Sequence, residues 1–393
     1  MKFEWGGGES LQPVKSLYIH WPFCPYRCHF CPFVALAGHD SYIAEYHKAL
    51  LTELESFFES HPDNGPIQTV FFGGGTPSTY PEDLLEETIT CIKKRCGLTD
   101  SYEMTIEVNP GTVTPSKLHT WKQLGINRLS IGVQSLNDEL LKNLNRHQKA
   151  ADVYALLDAG SLIFDNLSVD LIIGLPGVSA QEWKKLVSIV SLWPIKHVSM
   201  YFLTVHEDTQ LYFGVQSNKI VLPPDDEVVD LYYWTIDQFS QAGLEQYEIS
   251  NFGRQGWESQ HNRVYWHRKP YKGFGLGACS FDGASRFQNE KNLLKYIKGA
   301  INNDNVIVFA EKLTENQIWL EQLMLGLRQI KGIALDDIVE SLSVKGKDSF
   351  YKRVYELESV HMVNCENGRI ALTPHGLSVA NEIIVKLSCI DNQ

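Results

Sequence analysis

Hydrophobic and polar positions change spacing in a regular rhythm from residue 17 to about 252. Short β-rich runs, LYIHW (17–21), TVFFGG (69–74), EMTIEV (103–108), RLSIGV (128–133), LSVDLIIG (167–174), HVSMYFL (197–203) and YEISNF (247–252), alternate with longer stretches whose apolar residues recur every three or four positions. In SYIAEYHKALLTELESFF, for instance, Ile43, Tyr46, Leu50, Leu54 and Phe57 share one helix face. Six or seven strand-and-helix units in series predict an α/β fold with a parallel sheet, closed or partly closed into a barrel. After about 253 the rhythm gives way to a glycine- and aromatic-rich stretch, and from about 314 to helical patterns followed by a short strand, a turn and a closing helix. The chain is therefore divided into a barrel over 1–252, a connecting region over 253–313, and a small C-terminal accessory domain of winged-helix shape over 314–393.

In a barrel of this kind, ligand-facing residues sit at the C-terminal ends of strands and in the loops that follow. That is where the unusual sequences fall. A cysteine cluster follows the first strand, GGGTP the second, EVNP the third and GVQS the fourth, while DLIIGLP lies on the fifth. Any one of these is as readily a turn, but their common placement points to one site.

Composition narrows the partners. The 393 residues carry 47 acidic against 35 Lys and Arg side chains, a formal charge of −12, which argues against a nucleic-acid ligand held by a basic surface. No run approaches the roughly 18 apolar residues of a membrane span, and the N-terminus lacks a basic end followed by an apolar segment, so the chain reads as soluble and cytoplasmic. Peripheral membrane contact through a local patch stays compatible with the charge, although no basic amphipathic helix stands out.

Three of the eight cysteines, Cys24, Cys28 and Cys31, fall within eight residues. The others, Cys91, Cys96, Cys279, Cys365 and Cys389, are scattered singly and read as buried small hydrophobes. A structural zinc site wants four ligands, and a redox dithiol needs only two cysteines. An iron–sulfur cubane held by three thiolates leaves one iron without a protein ligand, an open position for a small molecule. Spacing alone leaves cluster, zinc and coincidence standing.

The flanking residues decide among them by resemblance. Cys24-Pro-Tyr-Arg-Cys28-His-Phe-Cys31 resembles the CxxxCxxC loop of the radical S-adenosylmethionine (radical SAM) superfamily, which follows the first strand of a partial (β/α)6 barrel. The resemblance implies a [4Fe–4S] cluster on Cys24, Cys28 and Cys31, with SAM on the fourth iron and an electron from the cluster cleaving the sulfonium. It covers nearly the whole chain and narrows to the coproporphyrinogen-dehydrogenase-like branch. There it implies SAM contacts by Tyr18, Phe30, Gly74, Gly75, Thr76, Glu107, Gln134, Arg146 and Asp170, with Thr204 near the adenosine. On residue type alone, Glu107 reads as a solvated carboxylate and Arg146 as half of a helix-surface ion pair.

Two features separate the chain from the dehydrogenases of that branch. Phe33 stands where they carry a fourth cysteine, and His261-Asn262-Arg263-Val264-Tyr265-Trp266 matches an HNxxYW motif. Both resemble the heme-chaperone group of the branch, named HemW. This implies heme as a further cofactor near His261, Tyr265 and Trp266, with His267 as an alternative ligand, and an acceptor protein to receive the heme. Without the motif, His261 reads equally as a hydrogen-bonded structural histidine and the two aromatics as core. Only seventeen residues precede Tyr18, which would leave the barrel mouth less covered than in a dehydrogenase. The rival readings are an oxygen-independent coproporphyrinogen III dehydrogenase and a radical-SAM enzyme that methylates and opens heme.

Overall fold

The computed structural model describes residues 13–389; the N-terminal segment weighed above and the last four residues lie outside them. Six parallel strands build the sheet, Ser16–Trp21 (β1), Ile67–Gly74 (β2), Leu98–Val108 (β3), Arg128–Gln134 (β4), Asn166–Ile173 (β5) and His197–Phe202 (β6), each hydrogen-bonded to the next. The sheet does not close. Asn251–Gly253 (β7) pairs antiparallel with β6, and Lys272–Phe274 (β8) adds parallel to the outer side of β1.

Two expectations change here. YEISNF supplies only the short antiparallel strand β7, so it is not a seventh strand-and-helix unit. Strand β8 had no signature, because its three residues are too few for any alternation to show.

Alternation along the strands sorts side chains into two layers. Val70, Phe72, Ile106, Leu129, Ile131, Val169 and Val198 are fully buried in the core shared with the covering helices. Those helices include Ile43–Ser60 (α1), Glu82–Arg95 (α2), Pro115–Leu124 (α3), Ala150–Ser161 (α4) and Ala180–Val190 (α5). The opposite face of the same strands is polar: Glu107, Arg128, Ser130, Gln134, Asp170 and Ser199 border a cavity inside the curve of the sheet. A hydrophobic inner face would have given a packed barrel core. This one keeps hydrogen-bonding groups around an open space.

The C-terminal part has the winged-helix arrangement. Helix Glu315–Leu327 leads into helices Leu335–Val339 and Val344–Ser359, followed by a hairpin of Val363–Glu366 and Arg369–Leu372, whose second strand also pairs with Ile333–Ala334. Helix Ala380–Ser388 closes it.

The scattered cysteines depart from expectation. Cys91, Cys96 and Cys365 are half-buried, and Cys279 and Cys389 are exposed.

Candidate functional site

The cavity has a volume of about 430 Å³ and opens at the C-terminal ends of the parallel strands. Cys24, Cys28 and Cys31 line it, on the loop that leaves β1. Two backbone bonds pin that loop through His29, whose N–H donates to the Leu144 carbonyl at 3.0 Å and whose carbonyl accepts from Leu211 N–H at 2.9 Å. The loop is thus tied to the segments that follow β4 and β6. Phe30, between the cysteines, packs on the small apolar cluster of Leu144, Leu175 and Leu211.

All three thiols are unpaired. Burial pushes the Cys24 thiol up to about 11 and raises that of Cys31 as well. Donors offset part of this. The Thr76 hydroxyl donates to Cys24 Sγ at 3.1 Å, and an Arg146 N–H faces Cys28 Sγ at 3.8 Å. Arg146 is 9% exposed and is held by the Gly132 carbonyl at 2.6 Å and the Gln148 side-chain oxygen at 2.9 Å. It is no surface ion pair.

The Gly73-Gly74-Gly75-Thr76 turn closes one side of the site. Gly74 has φ of +119°, and a Cβ there would meet the His20 ring at 2.7 Å, so the turn requires glycine. Its N–H donates to Glu107 Oε2 at 3.1 Å. Glu107 is not a solvated carboxylate. Burial, and then the charge of Asp170, push its pKa up to about 8. Asp170 is raised by burial too, against the pull of hydroxyls from Ser199 and Ser130. Two half-buried acids facing one cavity favour a cationic or proton-sharing occupant. Gln134, with φ of +64°, ends β4 at a register shift that turns its side chain into the cavity.

Of the sequence-predicted SAM contacts, Phe30, Gly74, Gly75, Thr76, Glu107, Gln134, Arg146, Asp170 and Thr204 all line this one cavity. Tyr18 is not among the lining residues. Its ring stacks on Phe71, which is, and its hydroxyl lies 3.1 Å from His20 Nδ1. Sequence reasoning missed Arg27, Arg128, Tyr201 and His206, which also line it, as does Asn262 of the HNxxYW motif. Arg128 and Tyr201 could have been found by stepping two residues along β4 and β6 from neighbours that face inward, whereas His206 carries no such signal.

The HNxxYW segment forms helix Gln260–Trp266. Glu103 of β3 accepts N–H bonds from Gln260 and His261 at 3.0 and 3.1 Å, a buried carboxylate at a helix N-terminus. His261 is 1% exposed, and both ring nitrogens are engaged, Nδ1 with Thr69 Oγ1 and Nε2 with the Tyr265 hydroxyl, each at 2.8 Å. Burial lowers its pKa to about 3. In this structure both ring nitrogens are thus taken up by protein partners, and heme at His261 would require the bond to Thr69 or to Tyr265 to break. Tyr265 is engaged with His261 and with the Tyr271 ring, and neither it nor Trp266 lines the cavity. His267 is exposed, outside the cavity.

Comparison with known proteins gives the family. A model of the radical SAM superfamily matches residues 18–190, and one of the HemN C-terminal domain matches residues 313–379. A heme chaperone HemW of Synechocystis is 36% identical over 83% of this chain and 80% of its own length. The chain belongs to the radical SAM superfamily, in its HemW/HemN-like branch. A second relative, heme chaperone HemW of Bacillus subtilis, is 32% identical over 94% of this chain and 98% of its own. The fold is that of coproporphyrinogen III oxidase (HemN) from Escherichia coli, whose structure superposes with a TM-score of 0.82 at 22% identity over 96% of this chain and 91% of that one.

Radical SAM proteins use a [4Fe–4S] cluster and SAM, and the residues present fit both. Three unpaired thiols receive a hydroxyl and a guanidinium, and the glycine turn, which packs too closely on His20 and Pro22 for any Cβ, brings its backbone to the cavity wall. Among the described residues no three His, Cys, Asp or Glu side chains converge on a single ion position. No helix among the described residues is long and apolar enough to cross a membrane.

Proposed function

We propose that this chain is a heme chaperone: it binds heme, carries a SAM-ligated [4Fe–4S] cluster, and hands the heme to an acceptor protein. The similarity to two proteins named heme chaperones, along most of their lengths, carries this reading. Phe33 agrees with it. It is 64% exposed and borders the cavity at the position where the dehydrogenases of the branch hold a fourth cysteine.

Cys24, Cys28 and Cys31 would hold the cluster. Gly74, Gly75 and Thr76 would take the amino-acid end of SAM, with Glu107 and Asp170 facing its cationic groups and Phe30 beside its adenine. When bound, cluster and SAM supply one-electron cleavage of the sulfonium bond. This chain's residues position and shield. The His29 bonds fix the cysteine loop, Arg146 and Thr76 place donors on its sulfurs, and Glu107, protonated up to about pH 8 in the free protein, can release its proton to meet an incoming ammonium.

The deciding experiment incubates anaerobically reconstituted protein with SAM, a low-potential reductant and coproporphyrinogen III, and separately titrates it with heme. Stoichiometric heme uptake with no decarboxylated porphyrin is expected. Decarboxylated porphyrin together with 5′-deoxyadenosine over many turnovers would overturn the proposal in favour of a dehydrogenase.

A further inference from the structure

Heme at His261 would have to displace Thr69 or Tyr265, so an imidazole already without such partners is the readier donor to heme iron. An iron porphyrin asks a protein for an imidazole or similar axial donor, flat apolar area for the macrocycle, and a cation for the propionates. One part of this molecule offers all three.

His206 lies on the loop after β6 and is exposed, lining the rim of the cavity. Its carbonyl accepts from the Thr209 N–H and hydroxyl at 3.0 and 2.6 Å, so its backbone is fixed ahead of helix Gln210–Gln216. Among the described residues, no hydrogen bond, ion pair or ring contact engages its imidazole. Five residues on, Leu211 makes the bond to His29 that ties this segment to the cysteine loop, so His206 and the cluster loop share one rim.

Phe33 and Phe202, 64% and 36% exposed, border the same cavity with Tyr201. Phe202 is held from behind by Tyr232, with ring centroids 5.0 Å apart. Large aromatics standing in water around a cavity mouth call for a flat partner. Arg27, exposed on the cysteine loop, adds a guanidinium that, among the described residues, no carboxylate pairs with.

We infer that heme caps the barrel mouth, its iron ligated by His206, its macrocycle against Phe33, Tyr201 and Phe202, and a propionate on Arg27. This assignment rests on the heme-chaperone reading and gives it a location. It puts the heme beside the cluster loop, and on an open rim from which an acceptor can take it.

The test is a ferric-heme titration of the anaerobically reconstituted, SAM-loaded protein, read by Soret absorbance and by the ferric-heme electron paramagnetic resonance (EPR) signal, which one axial histidine leaves high-spin. In His206→Ala, affinity should fall about tenfold or more and the histidine-ligated signal should vanish, with free imidazole restoring it. Arg27→Gln should weaken binding while keeping the ligation signal, and cluster absorbance should persist in both variants. If His206→Ala keeps the parent affinity and spectrum, or if the signal is lost in His267→Ala instead, the assignment falls and the chaperone reading stands. If the parent itself takes up no heme, the chaperone reading fails and takes this assignment with it.

Discussion

At the scale of single residues, the site is organised around donors aimed at sulfur. Among the described residues the Thr76 hydroxyl donates to Cys24 Sγ, at 3.1 Å. A hydrogen bond to a ligating sulfur stabilises the more negative, reduced cluster and so raises its potential. A net hydrogen bond is worth about 1 kcal/mol, and 59 mV corresponds to about 1.4 kcal/mol for one electron. Thr76→Val should therefore lower the reduction potential by up to about 40 mV, while Thr76→Ser keeps it. Potentiometric titration of the reduced-cluster EPR signal, made without SAM so that loss of a SAM contact does not enter, reads this directly. Equal potentials in the valine variant and the parent would show that the hydroxyl does not act on the cluster.

At the scale of elements, much of the fold is written in the sequence's periodicity, because strands β1 to β6 are local and each has a covering helix to bury its apolar side. The edges are less legible. Strand β8 is three residues long and finds β1 only through contacts distant in sequence, and YEISNF turns antiparallel because it arrives at the sheet edge through a short turn. The candidate site was legible to the extent that it sits at strand ends. Thr76, Glu107 and Gln134 are where strand-end logic puts them, and Asp170 faces inward from within β5. His261 shows the limit, since a histidine in a motif looks the same whether its nitrogens are free or bonded, and only tertiary packing against Thr69 and Tyr265 reveals which.

The tie between elements can be tested at Leu211, the second residue of helix Gln210–Gln216. Its N–H is one of the orphan donors of a helix start, and it goes to the His29 carbonyl. Proline is tolerated in the first turn of a helix but has no N–H. Leu211→Pro should therefore lower iron and sulfide content after reconstitution, while Leu211→Ala, which loses similar packing but keeps the donor, loses much less. Equal iron content in the two variants would assign any loss to packing alone.

At the scale of the whole molecule, the winged-helix part is joined to the barrel by a buried charge cluster and a short strand-like seam. Ile249 N–H donates to the Arg328 carbonyl at 2.9 Å and Ile330 N–H to the Tyr247 carbonyl at 3.1 Å. Beside them Glu321, on helix Glu315–Leu327, is 9% exposed and accepts from Arg268 at 2.9 Å and from Arg286 at 2.5 Å. Arg268 also lies over the Phe281 ring, 5.1 Å from its centroid, and its Nη2 is buried without a partner. Removing the carboxylate would strand that guanidinium out of water, and breaking a buried pair from one side costs about 3 kcal/mol. Glu321→Ala should therefore lower the unfolding midpoint and raise amide hydrogen exchange first in 315–327 and in the hairpin behind it, with the cluster spectrum unchanged because the cysteine loop is anchored elsewhere. Glu321→Gln keeps an acceptor for Arg268 and should lose less. If exchange instead rises first around the cysteine loop, the two parts share one cooperative unit and the charge cluster is not the joint between them.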